Sequence, residues 1–206
     1  RHRRTKLVGL VTGLRGDAAL VGFAEWPSER KYGGPRSFQV EQWAEIAAAA
    51  LADCGIASSE VDGLITYDLR ESKDFVPATV AEYCGWEVNF AERMDLGGAS
   101  AAGAVWRAAA AIELGLCNVV VCAVPSRPRP RPNNPKGPRM DWGALGSSSM
   151  EWGSPQAEFD VPHGNVAQNA GYAMIAQRYA AEFGWDERAL AKIAADQRRS
   201  ANATPN

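Results

Sequence analysis

The chain is 206 residues long, enough to bury a sizeable core in one large domain or two small ones. Its 22 basic and 24 acidic residues nearly cancel, which excludes a general nucleic-acid binder, and an apolar share of 46% is ordinary for a globular protein. No apolar run reaches the roughly 18–20 residues that a membrane span needs.

The basic lead Arg1 to Lys6 precedes a short apolar stretch, Leu7–Leu14, that is broken by Gly9, Thr12 and Gly13 and lacks a clear cleavage site for a secretory leader. A cytoplasmic protein is therefore expected, with residues 1–16 as an N-terminal extension. Ala18–Ala24 is a short apolar run bounded by turn residues and predicts a buried strand. Ser37 is placed to cap a helix from Phe38 to Cys54, in which Val40, Trp43, Ala44, Ala47 and Leu51 recur at helical spacing and Gly55 ends the run. A second strand, Gly63–Tyr67, follows Asp62. Then come a helix near Phe75–Cys84, an extended segment at Val88–Met94, an alanine-rich helix over Ser100–Leu114 and a strand over Cys117–Val124.

This alternation predicts an α/β fold, a parallel or mixed sheet covered by helices, over residues 17–124. Only Arg107 and Glu113 are charged in the alanine-rich helix, so it is expected to lie buried between layers. From Pro125 the character changes. Residues 125–206 read as a Pro/Gly-rich loop followed by a helical region, with helices over Asn165–Phe183 and, capped by Asp186, over Glu187–Ser200. Trp142 and Trp152 imply that part of the loop packs. Arg127, Arg129, Arg131, Lys136 and Arg139 could meet a phosphorylated ligand or a partner protein.

The four cysteines, Cys54, Cys84, Cys117 and Cys122, form no close pair and read as reduced, buried, small apolar residues. With two histidines, neither beside a cysteine, no metal site is expected. The stretch Asp95 to Gly103 concentrates small residues at the start of the alanine-rich helix. A helix N-terminus offers unpaired N–H groups suited to a carbonyl or anionic oxygen, whereas tight helix packing would use the same residues. Tyr67 and Asp68 stand at the end of a strand, where open α/β sheets place ligands.

The succession of Asp17–Gly22, Val61–Leu64, the Gly97-to-Ser100 turn and Asn118–Val121 resembles the N-terminal half of the thiolase superfamily. It is most similar to the sterol-carrier-protein-type thiolases and the lipid-transfer-protein aldolases of steroid side-chain degradation. Pro162–Gly164 with Gly171–Tyr179 resembles the helical loop region of that group. The likeness implies a thiolase-like mixed sheet of which this chain holds the N-terminal half, a further sheet-and-helix half with histidine-bearing motifs lying beyond it. It implies a homodimer, with Val88–Met94 as the candidate pairing edge, and a zinc-ribbon/OB-fold acyl-CoA-binding partner.

In thiolases a cysteine at the start of the central helix is acylated, because a helix N-terminus stabilises its thiolate. Alignment of the helix places Gly98 there. The implied reaction is then retro-aldol cleavage of a β-hydroxyacyl-CoA, a CoA thioester being the substrate and no covalently bound cofactor being required. Gly98, Gly97, Ser100 and Asp95 are the candidate catalytic positions. His163, Asn169, Tyr172 and Tyr67 are the candidate ligand contacts. The alternatives are a sterol-carrier-type acetyl-CoA acetyltransferase that uses another cysteine, such as Cys84, and a non-catalytic acyl-CoA-binding or scaffold subunit.

Overall fold

The computed structural model describes residues 14, 16–72, 74–130 and 152–204. The chain divides into two compact units, Arg1–Arg131 and Pro132–Asn206.

In the first unit α1 (Gln39–Cys54) repeats apolar residues on one face, so Trp43, Ile46, Ala47 and Leu51 are buried. The chain leaves α1 through Gly55 in the left-handed conformation, φ 71°. Its cap position is held by Phe38 rather than the expected Ser37. Phenylalanine has no polar cap to offer, and the Glu41 carboxylate instead accepts the Phe38 N–H at 2.6 Å. The strand β1 (Gly63–Thr66) is buried along its whole length. Leu64 faces α1 and α2 (Val76–Cys84), while Ile65 faces the opposite side with Met94 and Ala104. Full burial of such a side chain stabilises by about 1.5–3 kcal/mol. The strands β2 (Phe90–Arg93) and β3 (Val120–Cys122) flank it in the order β2-β1-β3, and both pairings are parallel. The expected mixed sheet is thus, among the described residues, wholly parallel, because each connection crosses back through a helix.

The central helix α3 (Ser100–Glu113) buries Ser100, Ala104 and Ala111. Val105 and Trp106 remain about half exposed, so within this unit α3 covers one face of the sheet and is not enclosed between layers. The expected strand at Ala18–Ala24 is also absent. The segment joins no ladder and has no regular structure, and Leu20, Val21 and Phe23 are exposed. It lies on α1 through side-chain bonds, Phe23 N–H to Asp53 at 3.0 Å. Gly22 sits where a Cβ would collide with the Ala50 carbonyl and the Cys54 side chain. An apolar run of this kind favours a strand without supplying a partner for it.

The N-terminal ends of the strands are tied at one residue. The Asp62 carboxylate accepts N–H groups from Asn118 and Val119 at 2.8 Å each, and the Asn118 amide at 2.9 Å. Its own N–H donates to the Val119 carbonyl, and its carbonyl accepts from Asn89 at 2.7 Å and Phe90 at 3.2 Å. Asp62 therefore touches the starts of β2 and β3 at once. Partial burial acts to raise its pKa, but the bonds from Val119 and Asn118 outweigh this and hold it below the usual carboxylate value.

In the second unit α4 (Gln168–Phe183) starts three residues after the expected Asn165. The helix α5 (Glu187–Ala203) is capped by Asp186, which accepts the Arg188 N–H at 3.0 Å. Trp152, expected to pack, is 95% exposed; Trp142 lies outside the described residues. No helix among the described residues is long and apolar enough to cross a membrane.

Asp62→Ala is expected to cost about 1–2 kcal/mol of stability at pH 7, allowing for partial exposure. Because the folded pKa is lowered, this contribution is complete above the unfolded value near about 4 and fades as pH falls through the folded one. In urea titrations the gap between parent and variant should therefore narrow as the pH is taken from about 7 into the acidic range below about 4.

Candidate functional site

The C-terminal edge of the sheet is built by continuing its register. Thr66 lies opposite Arg93, and the Met94 N–H donates to the Thr66 carbonyl at 2.8 Å, which sets Tyr67 beside Met94. Three residues beyond Met94 the chain turns into α3. Gly97 has φ +55°, a left-handed backbone that a side chain disfavours, and begins a 3-10 turn over Gly97–Ala99. Ser100, 7% exposed, closes the turn from inside. Its hydroxyl accepts the Leu96 N–H and donates to the Gly97 carbonyl, both at 2.8 Å. The Ala99 N–H is taken by the Leu96 carbonyl at 3.2 Å, and the Gly97 N–H by Asp95 Oδ1 at 3.4 Å.

Ser100 thus spends its hydroxyl, and Asp95 one carboxylate oxygen, on the turn itself. The Gly98 N–H has no acceptor among the described residues, and a Cβ built on Gly98 would meet nothing within 4 Å. The turn therefore presents a donor beside open space, at the start of a helix of 14 residues whose dipole favours negative charge there.

Tyr67 packs against Ile65, Met94 and Ala104, on the face that carries α3. Its hydroxyl has no hydrogen-bond partner among the described residues. Burial, with the neighbouring Cys122, raises its pKa, so the phenol stays protonated at neutral pH. Beyond it, Asp68 pairs with Arg93 at 2.8 Å. Tyr67, Asp95, Gly97, Gly98 and Ser100 are therefore brought to one edge.

His163, Asn169 and Tyr172 belong to the second unit. His163 ends a 3-10 turn over Val161–His163, Asn169 and Tyr172 lie on α4, and all three are exposed. A recess of about 100 Å³ in this unit is lined by Gln156, Asp160, Asn165, Gln168 and Gly171, and by none of those three.

The cysteines differ from one another. Cys117 is buried, but Cys122, expected to be, presents open surface; the packing around its sulfur nevertheless pushes its thiol up to about 11. Cys84 ends α2, where the helix dipole disfavours a thiolate, and burial raises its pKa further. No group of three His, Cys, Asp or Glu side chains that could hold a metal ion occurs among the described residues.

Two of the loop arginines have structural uses. Gln42 is fully buried on α1, and its amide both accepts the Arg127 N–H at 3.0 Å and donates to the Arg127 carbonyl at 3.1 Å and the Ser37 carbonyl at 2.8 Å. The Arg127 guanidinium lies 4.2 Å from the Trp26 ring centre and pairs with Glu45 at 2.9 Å. Arg129 pairs with Glu71 at 3.2 Å. The chain leaving β3 is thereby strapped onto α1, and these two charges are not free for a phosphorylated ligand. Arg131, Lys136 and Arg139 lie outside the described residues. Sequence reasoning missed Gln42; its signal was an amide set among Trp43, Ile46 and Ala47 on the buried helix face.

Fold and edge together define an α/β protein with a parallel sheet and a glycine turn at the ends of its strands, where such sheets receive ligands. No protein-family model matches the chain. Among curated proteins it is 31% identical over 195 residues to a steroid side-chain-cleaving aldolase of Thermomonospora curvata, covering 93% of this chain and 46% of the relative. It is 30% identical over 193 residues to the 17-hydroxy-3-oxo-4-pregnene-20-carboxyl-CoA lyase of Mycobacterium tuberculosis, covering 92% of this chain and 47% of the relative. The chain spans about half the length of the curated relatives it matches. Among solved structures it is similar to an Ltp2-ChsH2(DUF35) aldolase, with a TM-score of 0.52 and 30% identity, over 72% of this chain and 34% of that one.

Gly97→Ala is expected to cost about 1 kcal/mol, from the left-handed backbone, while Gly98→Cys changes stability by less than about 0.5 kcal/mol. Thermal melts of the two variants side by side should show the gap. Gln42→Leu, which removes the partner of three part-buried backbone groups, should cost about 1–2 kcal/mol in a denaturant titration.

Proposed function

We propose that this chain contributes the thioester-binding part of a lyase that cleaves a β-hydroxyacyl-CoA by a retro-aldol step, with a steroid side chain as the acyl group. The observation that carries the reading is the turn at Gly98. Its N–H has no acceptor among the described residues, and open space stands where a side chain would be, which suits a reaction that must hold an oxyanion and form no acyl-enzyme. The names of the two relatives, an aldolase and a CoA lyase, support the same chemistry.

In this reaction a base takes the β-hydroxyl proton and the Cα–Cβ bond breaks, releasing a ketone or aldehyde. The bonding pair moves into the thioester as an enolate, and Cα is then protonated to give a shorter acyl-CoA. Gly98 N–H supplies a donor to the developing oxyanion. Gly97 and Ser100 hold that donor in place, and Asp95 braces the turn. Taken by itself, the second unit offers His163, Asn169 and Tyr172 as exposed side chains for acyl-CoA contacts. No covalently bound cofactor enters the step.

The name of the solved structure joins Ltp2 with ChsH2(DUF35), which supports a second protein as partner. The open edge of β2, paired with β1 on one side only among the described residues, suits a homodimer contact.

The test is to incubate the full-length protein, with its partner, with a β-hydroxyacyl-CoA and follow both products by mass spectrometry. Ketone or aldehyde and shortened acyl-CoA should appear in equal amounts. An acylated cysteine with transfer to free CoA would replace the lyase with a thiolase. CoA binding without turnover would leave a scaffold subunit.

A further inference from the structure

The polar atoms at the C-terminal edge of the sheet are nearly all committed. Ser100 bonds Leu96 and Gly97, Asp95 bonds Gly97, and Asp68 bonds Arg93. The Thr66 hydroxyl lacks a partner but is enclosed in the core on the face of Leu64; on the α3 face the Gly98 N–H and the Tyr67 hydroxyl have no partner among the described residues. They are set on one side of the sheet by its register. Tyr67 follows Thr66, which pairs with Arg93, so its neighbour across the ladder is Met94, three residues before Gly97. Side-chain alternation along β1 puts Tyr67 on the face of Ile65, which is the α3 face. The ring packs against the cluster of Ile65, Met94 and Ala104, the last of these one turn into α3, so it rests on residues that lie either side of the glycine turn in the chain.

We infer that the Tyr67 hydroxyl is a second hydrogen-bond donor to the substrate's thioester oxygen, acting with the Gly98 N–H at the edge of the sheet. This rests on the acyl-thioester reading above and assigns a residue to its oxyanion site. A half-buried phenol whose ring is packed and whose hydroxyl is unspent is pre-oriented, so donation to the enolate oxygen needs little reorganisation as charge develops. The proton remains on the phenol throughout. The raised pKa fits a donor and speaks against a general base.

The full-length protein with its partner tests this by two readouts on Tyr67→Phe, which keeps the ring and its packing. The first is difference infrared spectroscopy of bound butyryl-CoA carrying carbon-13 at the thioester carbonyl; it lacks a β-hydroxyl and is not cleaved. The parent should show the carbonyl band shifted down relative to free butyryl-CoA, and the variant should lose a clear part of that shift. The second is cleavage of a β-hydroxyacyl-CoA, where kcat should fall about 10²-fold or more with KM within about two-fold and an unchanged thermal midpoint.

The same carbonyl band and the same kcat in parent and variant would overturn the role of Tyr67 while leaving the acyl-thioester reading intact. A parent that shifts the band but does not cleave would remove the lyase and keep the donor. A parent that binds no butyryl-CoA would overturn both.

Discussion

Three parallel strands of three or four residues have little to hold them in register beyond their own ladder, and the carboxylate and main chain of Asp62 supply the rest. One residue accepts from the start of β3 through its side chain, donates its own N–H to the Val119 carbonyl, and accepts from Asn89 and Phe90 at the start of β2. A one-residue slip in either neighbour would leave these groups without partners as well as turning apolar side chains outward. With the N-terminal ends fixed in this way, the opposite ends of the strands are fixed too, and it is there that Tyr67, Met94 and the glycine turn meet.

Chemistry at that edge depends on what has been spent. The turn into α3 uses a left-handed Gly97 and a buried Ser100 to satisfy its own backbone, and leaves the Gly98 N–H over. A turn closed from within by a side chain is stiff, and a stiff donor suits an oxyanion that exists only briefly. The open space at Gly98 has a further consequence: no packing in the described structure demands glycine there, since a Cβ would meet nothing. Packing within the described residues therefore does not account for its smallness.

Much of this was legible in the residues. Helical spacing found α1 to α5 within a few positions, and the alternation of helix with strand pointed to an α/β layer. The cluster of small residues from Gly97 to Ala104 marked the turn because glycine and serine at a helix start have local reasons to be there. The failures share one origin. Ala18–Ala24 is apolar and reads as a buried strand, but strand status needs a neighbour that composition cannot name. The alanine-rich α3 looked enclosed because few charges interrupt it, yet Val105 and Trp106 stay half open in the first unit. Arg127 and Arg129 read as free charges because their partners, Glu45 and Glu71, are distant in the chain.

Periodicity, turn residues and the absence of a side chain at position 98 are local properties, so the sequence alone determined the elements, their rough ends and the chemical character of the turn. The order β2-β1-β3, the parallel sense of both pairings, the Asp62 tie across 56 positions and the Gln42 strap across 85 were decided only by tertiary structure. These are agreements between residues far apart in the chain. Each depends on which buried polar groups find partners once the apolar faces have closed, and no local pattern records that outcome.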